Sequence, residues 1–143
     1  MRTGVQWTGH LNPNQSQTTW VGSGAPTDDF PVVKGQGYIV ATAGTCTNWV
    51  VVGSHDPAYV YSFAAASPSV YLTSIPYHTT ATQAHDLFNA IPSCAKVARI
   101  NPNQSQTTWV GSGAPTDDFT VQIGEAYIVS VGTAGTTWTP AHY

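Results

Sequence analysis

Positive charge is nearly missing from this chain. Arg2, Lys34, Lys96 and Arg99 are its four cations, and charged residues make up 8% of its 143 residues, against roughly 25% in an average soluble protein. Four scattered cations assemble no basic patch, which excludes nucleic acid as a partner. The longest apolar runs, Trp49 to Val52 and Tyr59 to Ala66, are too short to span a bilayer. No basic-then-apolar leader follows Met1, so an exported form is expected to have lost its signal already. The five histidines, His10, His55, His78, His85 and His142, show no HExxH or other close metal spacing and are expected on the surface or in turns. Cysteine is scarce as well. Cys46 and Cys94 are neither a CxxC pair nor accompanied by further metal ligands, and they read equally as a disulfide or as two unrelated buried thiols.

With so little charge, the surface must be covered by Thr, Ser, Asn, Gln and Gly, a composition that fits extracellular and cell-surface β proteins. Five Trp and seven Tyr among β-branched residues favour strands. The most informative feature is a repeat. The stretch NPNQSQTTWVGSGAPTDDF occurs without a difference at Asn12–Phe30 and at Asn101–Phe119, an offset of 101 − 12 = 89 residues. Phe30, Val32, Gly35, Tyr38, Ile39 and Val40 continue the match at Phe119, Val121, Gly124, Tyr127, Ile128 and Val129, and Trp49 aligns with Trp138. Repetition at a fixed period points to stacked structural units and weighs against catalysis, because an active site needs different residues in different places.

Candidate strands are Val5–Leu11, Thr18–Val21, Pro31–Val33, Tyr38–Thr42, Trp49–Val52, Tyr59–Phe63, Val70–Ser74, Val97–Ile100, Thr107–Val110, Phe119–Gln122 and Tyr127–Val131. VVKGQGYIV and VQIGEAYIV read as hairpins with Gly35 and Gly124 at positive φ, their bulky flanks pairing across the ladder. One segment reads as a helix: Thr80 and Gln83 form a T-x-x-Q capping box, Ala84, Leu87, Phe88 and Ile91 share a face, and Pro92 ends it. The fold expected is mainly β, two related antiparallel units, sandwich- or barrel-like, with one short α-helix at residues 81–91. The units are residues 1–66 and 67–143, with a single shared core as the alternative. The first copy has no counterpart of the strand and helix at Val70–Ile91, so that segment is expected either to serve both copies or to leave a face that a neighbouring molecule covers.

A strand ending in Pro, a short amphipathic helix ending in I-P, then VARINPNQSQTTW and DFTVQIGEAYIVSV follow in order. This succession, with its V-x-R-x-N run and its D-F-x-V-x-x-G-x-x-Y-x-V run, resembles a small β-rich module of bacterial secreted and cell-surface proteins, often found in tandem. The resemblance covers Val70 to Val131, and in the first copy only Leu11 to Val40, where the helix is lacking. It implies a fold and an extracellular or cell-surface location, and no catalytic residues.

Candidate binding residues lie in the duplicated loops. Trp20 and Trp109 stand just before them, and an indole flanked by Asn, Gln and Asp suits a sugar ring. Cross-strand packing is the competing role. Asp28 with Asp29 and Asp117 with Asp118 place adjacent carboxylates in Gly-rich loops, a possible source of calcium ligands. No D-x-D-x-D-G run accompanies them, so bonds to the backbone of their own turn are the simpler expectation. N-Q-S sequons begin at Asn14 and Asn103. Ser23 and Ser112 lie in GSG and not in a GxSxG elbow, and no spacing recommends a triad built from His55 or His78 with Asp56 or Asp86. The functional expectation is a non-catalytic, exported structural or adhesive repeat that associates with copies of itself. A carbohydrate-binding module partnering polysaccharide is the first alternative, and a small secreted hydrolase the second.

Overall fold

The computed structural model describes residues 5–12, 15–22, 29–44, 56–65 and 69–141. The strand expected at Trp49–Val52, most of the first Gly-rich loop, and Asn14, Asp28, Cys46, His55 and His142 lie outside the described residues. In chain order the elements are β1 (Val5–Leu11), β2 (Gln17–Val21), β3 (Ile39–Thr42), β4 (Tyr61–Phe63), β5 (Val70–Ser74), α1 (Ala84–Ala90), β6 (Cys94–Ile100), β7 (Gln106–Trp109), β8 (Ala126–Val131) and β9 (Thr136–Trp138). The fold is mainly β; among the described residues it has three antiparallel sheets ordered β2-β1-β3, β5-β8-β6-β7 and β4-β9, none of which closes into a barrel.

The 89-residue repeat is obeyed in three dimensions. β1 pairs β2 with Thr8 opposite Trp20 and Leu11 opposite Gln17, and β6 pairs β7 with Val97 opposite Trp109 and Ile100 opposite Gln106. β1 pairs β3 with Thr8 opposite Val40, and β6 pairs β8 with Val97 opposite Val129. Even the irregularity is copied: the register shifts between Val5 and Trp7 and, at the same step, between Cys94 and Lys96. Identical turn chemistry fixes these registers. Asn12 N–H donates to Ser16 O at 2.8 Å, as Asn101 N–H does to Ser105 O at 2.8 Å. The two Asn side chains donate to Ser16 and Ser105 Oγ, each at 2.9 Å. These bonds hold Gln15 and Gln104 at φ of 68° and 66°, a conformation that non-glycine residues seldom adopt.

The segments expected to be hairpins are tied differently. Gly35 and Gly124 do take positive φ, 82° and 85°, but Pro31–Val33 and Phe119–Gln122 are not strands. A tyrosine takes the ladder's place. Val33 N–H donates to Tyr38 Oη at 2.6 Å, and Gln122 N–H to Tyr127 Oη at 2.6 Å. Each hydroxyl in turn donates to a side chain two residues earlier, Gln36 Oε1 at 3.0 Å and Glu125 Oε2 at 2.9 Å. Each tyrosine ring stacks on the preceding phenylalanine, Phe30–Tyr38 at 5.8 Å and Phe119–Tyr127 at 5.7 Å between centroids. With the backbone donor taken by a side chain, no ladder can form there.

The two larger sheets meet face to face. Val70, Leu72, Ala98 and Ile128 form a buried cluster on one face of the β5-containing sheet, and Leu11 and Ile39 of the first sheet pack against it. Gly37, next to β3, faces Ala126, its own counterpart in the repeat: a Cβ added to Gly37 would lie 2.3 Å from the Ala126 Cβ. The outer edge of β5 is closed by the same segment, through an isolated bridge from Gln36 to Thr73 and through Gly37 N–H donating to Leu72 O at 2.7 Å. That pairing removes an open strand edge.

The opposite face of the second sheet carries the main core. Leu87 and Ile91 of the helix segment pack with Val97, Val129 and Tyr127 of the sheet, and Tyr61, Phe63 and Trp138 of β4 and β9 complete the cluster. β9, three residues long, had no candidate in the strand reading. The helix begins one turn later than the expected T-x-x-Q box. Its lead-in is held by Asp86, whose Oδ2 accepts from Thr82 N–H at 2.8 Å, Gln83 N–H at 3.0 Å and Thr82 Oγ1 at 3.1 Å. A carboxylate at this end also meets the positive pole of the helix. Ala84 N–H donates to Phe119 O at 2.9 Å and Val121 N–H to Thr82 O at 2.8 Å, which clips the helix to the segment before β8.

Candidate functional site

The second Gly-rich loop and the start of α1 come together. Gly111 and Gly124 mark its limits with left-handed backbone, and a 3-10 turn at Pro115–Asp117 delivers Asp118 to the helix. Asp118 Oδ1 accepts the backbone N–H of His85 at 2.9 Å, and its Oδ2 lies 2.5 Å from His85 Nδ1. The other ring nitrogen, Nε2, lies 3.1 Å from Asp86 Oδ1. The hydrogen bond to Asp118 raises the His85 pKa above its ordinary value; slight burial opposes this, and the charges of Asp118 and Asp86 add to it. Asp86 moves the other way, held below the ordinary carboxylate range first by the backbone of Thr82. The two carboxylates flank the ring and favour its protonated form. Nucleophilic catalysis needs a hydroxyl on the outer ring nitrogen; here a carboxylate occupies that place.

Trp109 closes the cluster from the sheet side. Its ring centroid lies 6.4 Å from that of His85, it is half-buried against the main core, and its Nε1 is buried without a hydrogen-bond partner. Of the sequence candidates in the second unit, the structure thus joins Trp109 and Asp118 in one place. Asp117, half-buried beside them, donates its backbone N–H to Ala114 O at 2.8 Å within the 3-10 turn. His85 is at the surface as expected, its side chain 43% exposed, and what the sequence does not signal is its bonding to Asp118. It lies 33 residues before Asp118, and no short motif marks such a spacing.

In the first unit Trp20 is half-buried and Asp29 exposed, with no helix against them among the described residues. Among the described residues no group of three or more His, Cys, Asp or Glu is arranged to hold a metal ion, and no helix is long and apolar enough to cross a membrane. Cys94 is a half-buried thiol that donates to Lys96 O at 3.5 Å, and burial pushes its pKa up to about 11; its proposed partner Cys46 is outside the described residues. Asn103 Oδ1 accepts from Ser105 N–H at 3.1 Å and from Ser105 Oγ at 2.6 Å. A groove of about 350 Å³ runs beside α1 between Thr79, Leu87 and Trp138. Among the described residues its one ionisable lining group is Asp86, already committed to the helix lead-in.

The His85 pair makes stability depend on pH. A histidine whose folded pKa is raised contributes fully below its unfolded value of 6.5 and loses that contribution as pH rises through the folded value. Asp86, lowered from 3.8, contributes above that value and loses its share as pH falls through the depressed one. The melting-temperature difference between wild type and His85→Gln is therefore expected to be greatest between those limits and to shrink as pH rises beyond 6.5. Thermal melts across pH 4 to 9 check this, and a difference that stays flat through that range would exclude the ion pair.

Comparison with protein-family models, curated proteins and solved structures finds no match for this chain.

Proposed function

We propose that this chain is a non-catalytic, exported structural or adhesive repeat that associates with copies of itself at a cell surface or in an extracellular fibre. One observation carries the reading: the best-formed polar cluster, His85 with Asp118 and Asp86, serves to hold α1 to the loop segment before β8. Trp109 is likewise engaged in packing. Side chains that would mark a binding loop in the second unit hold the fold together instead. The low charge and the polar, uncharged surface support export, and the duplicated sheet supports a role built on repetition. Sedimentation equilibrium from 5 µM to 500 µM tests the association. Mass that grows with concentration is expected; a strict monomer over that range would remove self-association.

Carbohydrate binding keeps a foothold at Trp20, which is half-buried on a sheet face that no helix covers among the described residues. An indole there presents an apolar surface suited to a sugar ring.

A further inference from the structure

The turn between β6 and β7 carries Asn103, Gln104 and Ser105, and its side chains are hydrogen-bonded in one direction. Asn101 Nδ2 donates to Ser105 Oγ at 2.9 Å. That bond fills an acceptor site of the hydroxyl, whose own proton goes to Asn103 Oδ1 at 2.6 Å. Ser105 N–H donates to the same oxygen at 3.1 Å. A backbone N–H can only donate, so the atom it meets is the amide oxygen of Asn103, and the amide nitrogen points the other way. Nδ2 makes no hydrogen bond among the described residues, and Asn103, Gln104 and Ser105 are all exposed. Gln104, at a φ of 66°, turns the chain so that amide and hydroxyl meet. β7 is the edge strand of its sheet, so no further strand crowds the turn. As far as it is described, the first unit repeats the network: Asn12 Nδ2 donates to Ser16 Oγ at 2.9 Å, and Gln15 stands at a φ of 68°.

We propose that Asn103 is an acceptor of N-linked sugar, delivered by a glycosyl diphosphate. N-x-S with x other than Pro is the sequence that such transfer requires. Closing a turn needs only an acceptor oxygen, which an aspartate supplies as well. What sets this site apart is the hydroxyl bonded to the amide oxygen and the amide nitrogen left open to solvent. In the transfer, the bond from Nδ2 to the sugar's C1 forms as the bond from C1 to the diphosphate oxygen breaks. The diphosphate leaves with the electron pair, and one Nδ2 proton passes to a base of the transferase. As that proton leaves, negative charge develops on Oδ1, where the O–H and N–H of Ser105 already point, and donors set in place beforehand lower such a barrier. The arrangement is also local. A hairpin closes in about 1–10 μs, so the acceptor geometry exists before the distant strands β5 and β8 pair. The inference rests on the reading of an exported repeat and adds to it a modified surface position.

The test uses the full chain in two arms. In one, the chain is expressed behind a cleavable secretion leader in a host that transfers lipid-linked oligosaccharide to asparagine. In the other, the purified folded chain is incubated with UDP-glucose and an N-glycosyltransferase that accepts nucleotide sugars. Tryptic cleavage after Lys34 and Arg99 puts Asn14 and Asn103 on different peptides, so mass spectrometry reads each position alone. Sugar on the Asn103 peptide is expected, and its presence in one arm alone identifies the donor as lipid-linked or nucleotide-linked. Asn103→Asp keeps the acceptor oxygen of the turn, and is expected to lose the sugar while its melting temperature and circular dichroism match wild type. Ser105→Ala is expected to lose the sugar as well, and Ser105→Thr, which restores the hydroxyl, to regain it. An unmodified Asn103 peptide in both arms would overturn the proposal, as would full modification of Ser105→Ala. A chain that is secreted yet bare in both arms removes the site and leaves export standing, whereas a chain retained in the cell yet modified by the purified transferase does the reverse.

Discussion

Leu87→Ala is expected to lower the unfolding free energy by about 3–5 kcal/mol, the upper part of the range for emptying a fully buried leucine site. Leu87 has no exposed surface and lies between α1 and the sheet, in the cluster that includes Val97, Val129 and Trp138. Two losses combine there: the transfer energy of the removed methyl and methylene groups, and the cavity that a rigid sheet on one side cannot close. The seven-residue helix is too short to stand without that packing. A domain of this size holds about 5–15 kcal/mol in all, so the variant is expected to approach marginal stability. Val40→Ala, at the corresponding place in the first sheet, removes a side chain that is only half-buried, and its expected cost is below about 1 kcal/mol. Urea denaturation of both variants measures the contrast. Equal losses would mean that the helix seat is no better packed than its counterpart in the first sheet.

That contrast marks the limit of what the sequence could disclose. Strands β1 and β5 were legible to the residue because Val5–Leu11 and Val70–Ser74 alternate clearly between turn signals. The helix was legible from Ala84, Leu87, Phe88 and Ile91, which share one face. Its start was not, because the box is built one turn later, with Gln83 as N-cap and Asp86 at N3, whose carboxylate accepts from the Thr82 and Gln83 N–H groups. Phe119–Gln122 was misread as a strand because the donor of Gln122 goes to a side-chain hydroxyl, and β propensity is silent about such substitutions. The candidate cluster was half legible. Asp118 and Trp109 stood out through duplication, whereas His85 has no counterpart in the first copy and joins them through tertiary structure alone. The same holds for the contact between the sheets: the repeat announces that two sheets are alike, and only packing reveals which of their faces meet.

Gly37→Ala is expected to destabilise the protein by about 2–3 kcal/mol, within the usual range for overpacking a closed interface. The backbone there is not left-handed, so no conformational penalty applies, and by itself the exchange would favour the folded state by about 0.4–1 kcal/mol through the unfolded chain. Space decides the sign. The added Cβ would stand 2.3 Å from Ala126 Cβ and 2.8 Å from Leu72 Cγ, and neither neighbour can withdraw, since Gly37 N–H is bonded to Leu72 O at 2.7 Å. The two sheets must separate locally or the Gln36 bridge to β5 must break, and either change uncovers the cluster of Val70, Leu72, Ala98 and Ile128. Because positions 37 and 126 are equivalent in the repeat and face each other, exchanging their side chains supplies the control. Gly37→Ala with Ala126→Gly restores the methyl count at the contact and is expected to recover most of the loss, with a coupling energy of about 1–2 kcal/mol as found for touching residues. Thermal and urea unfolding of the two single variants and the double variant close the cycle. A Gly37→Ala protein as stable as wild type, or strict additivity across the cycle, would show that the two sheets do not meet at this point.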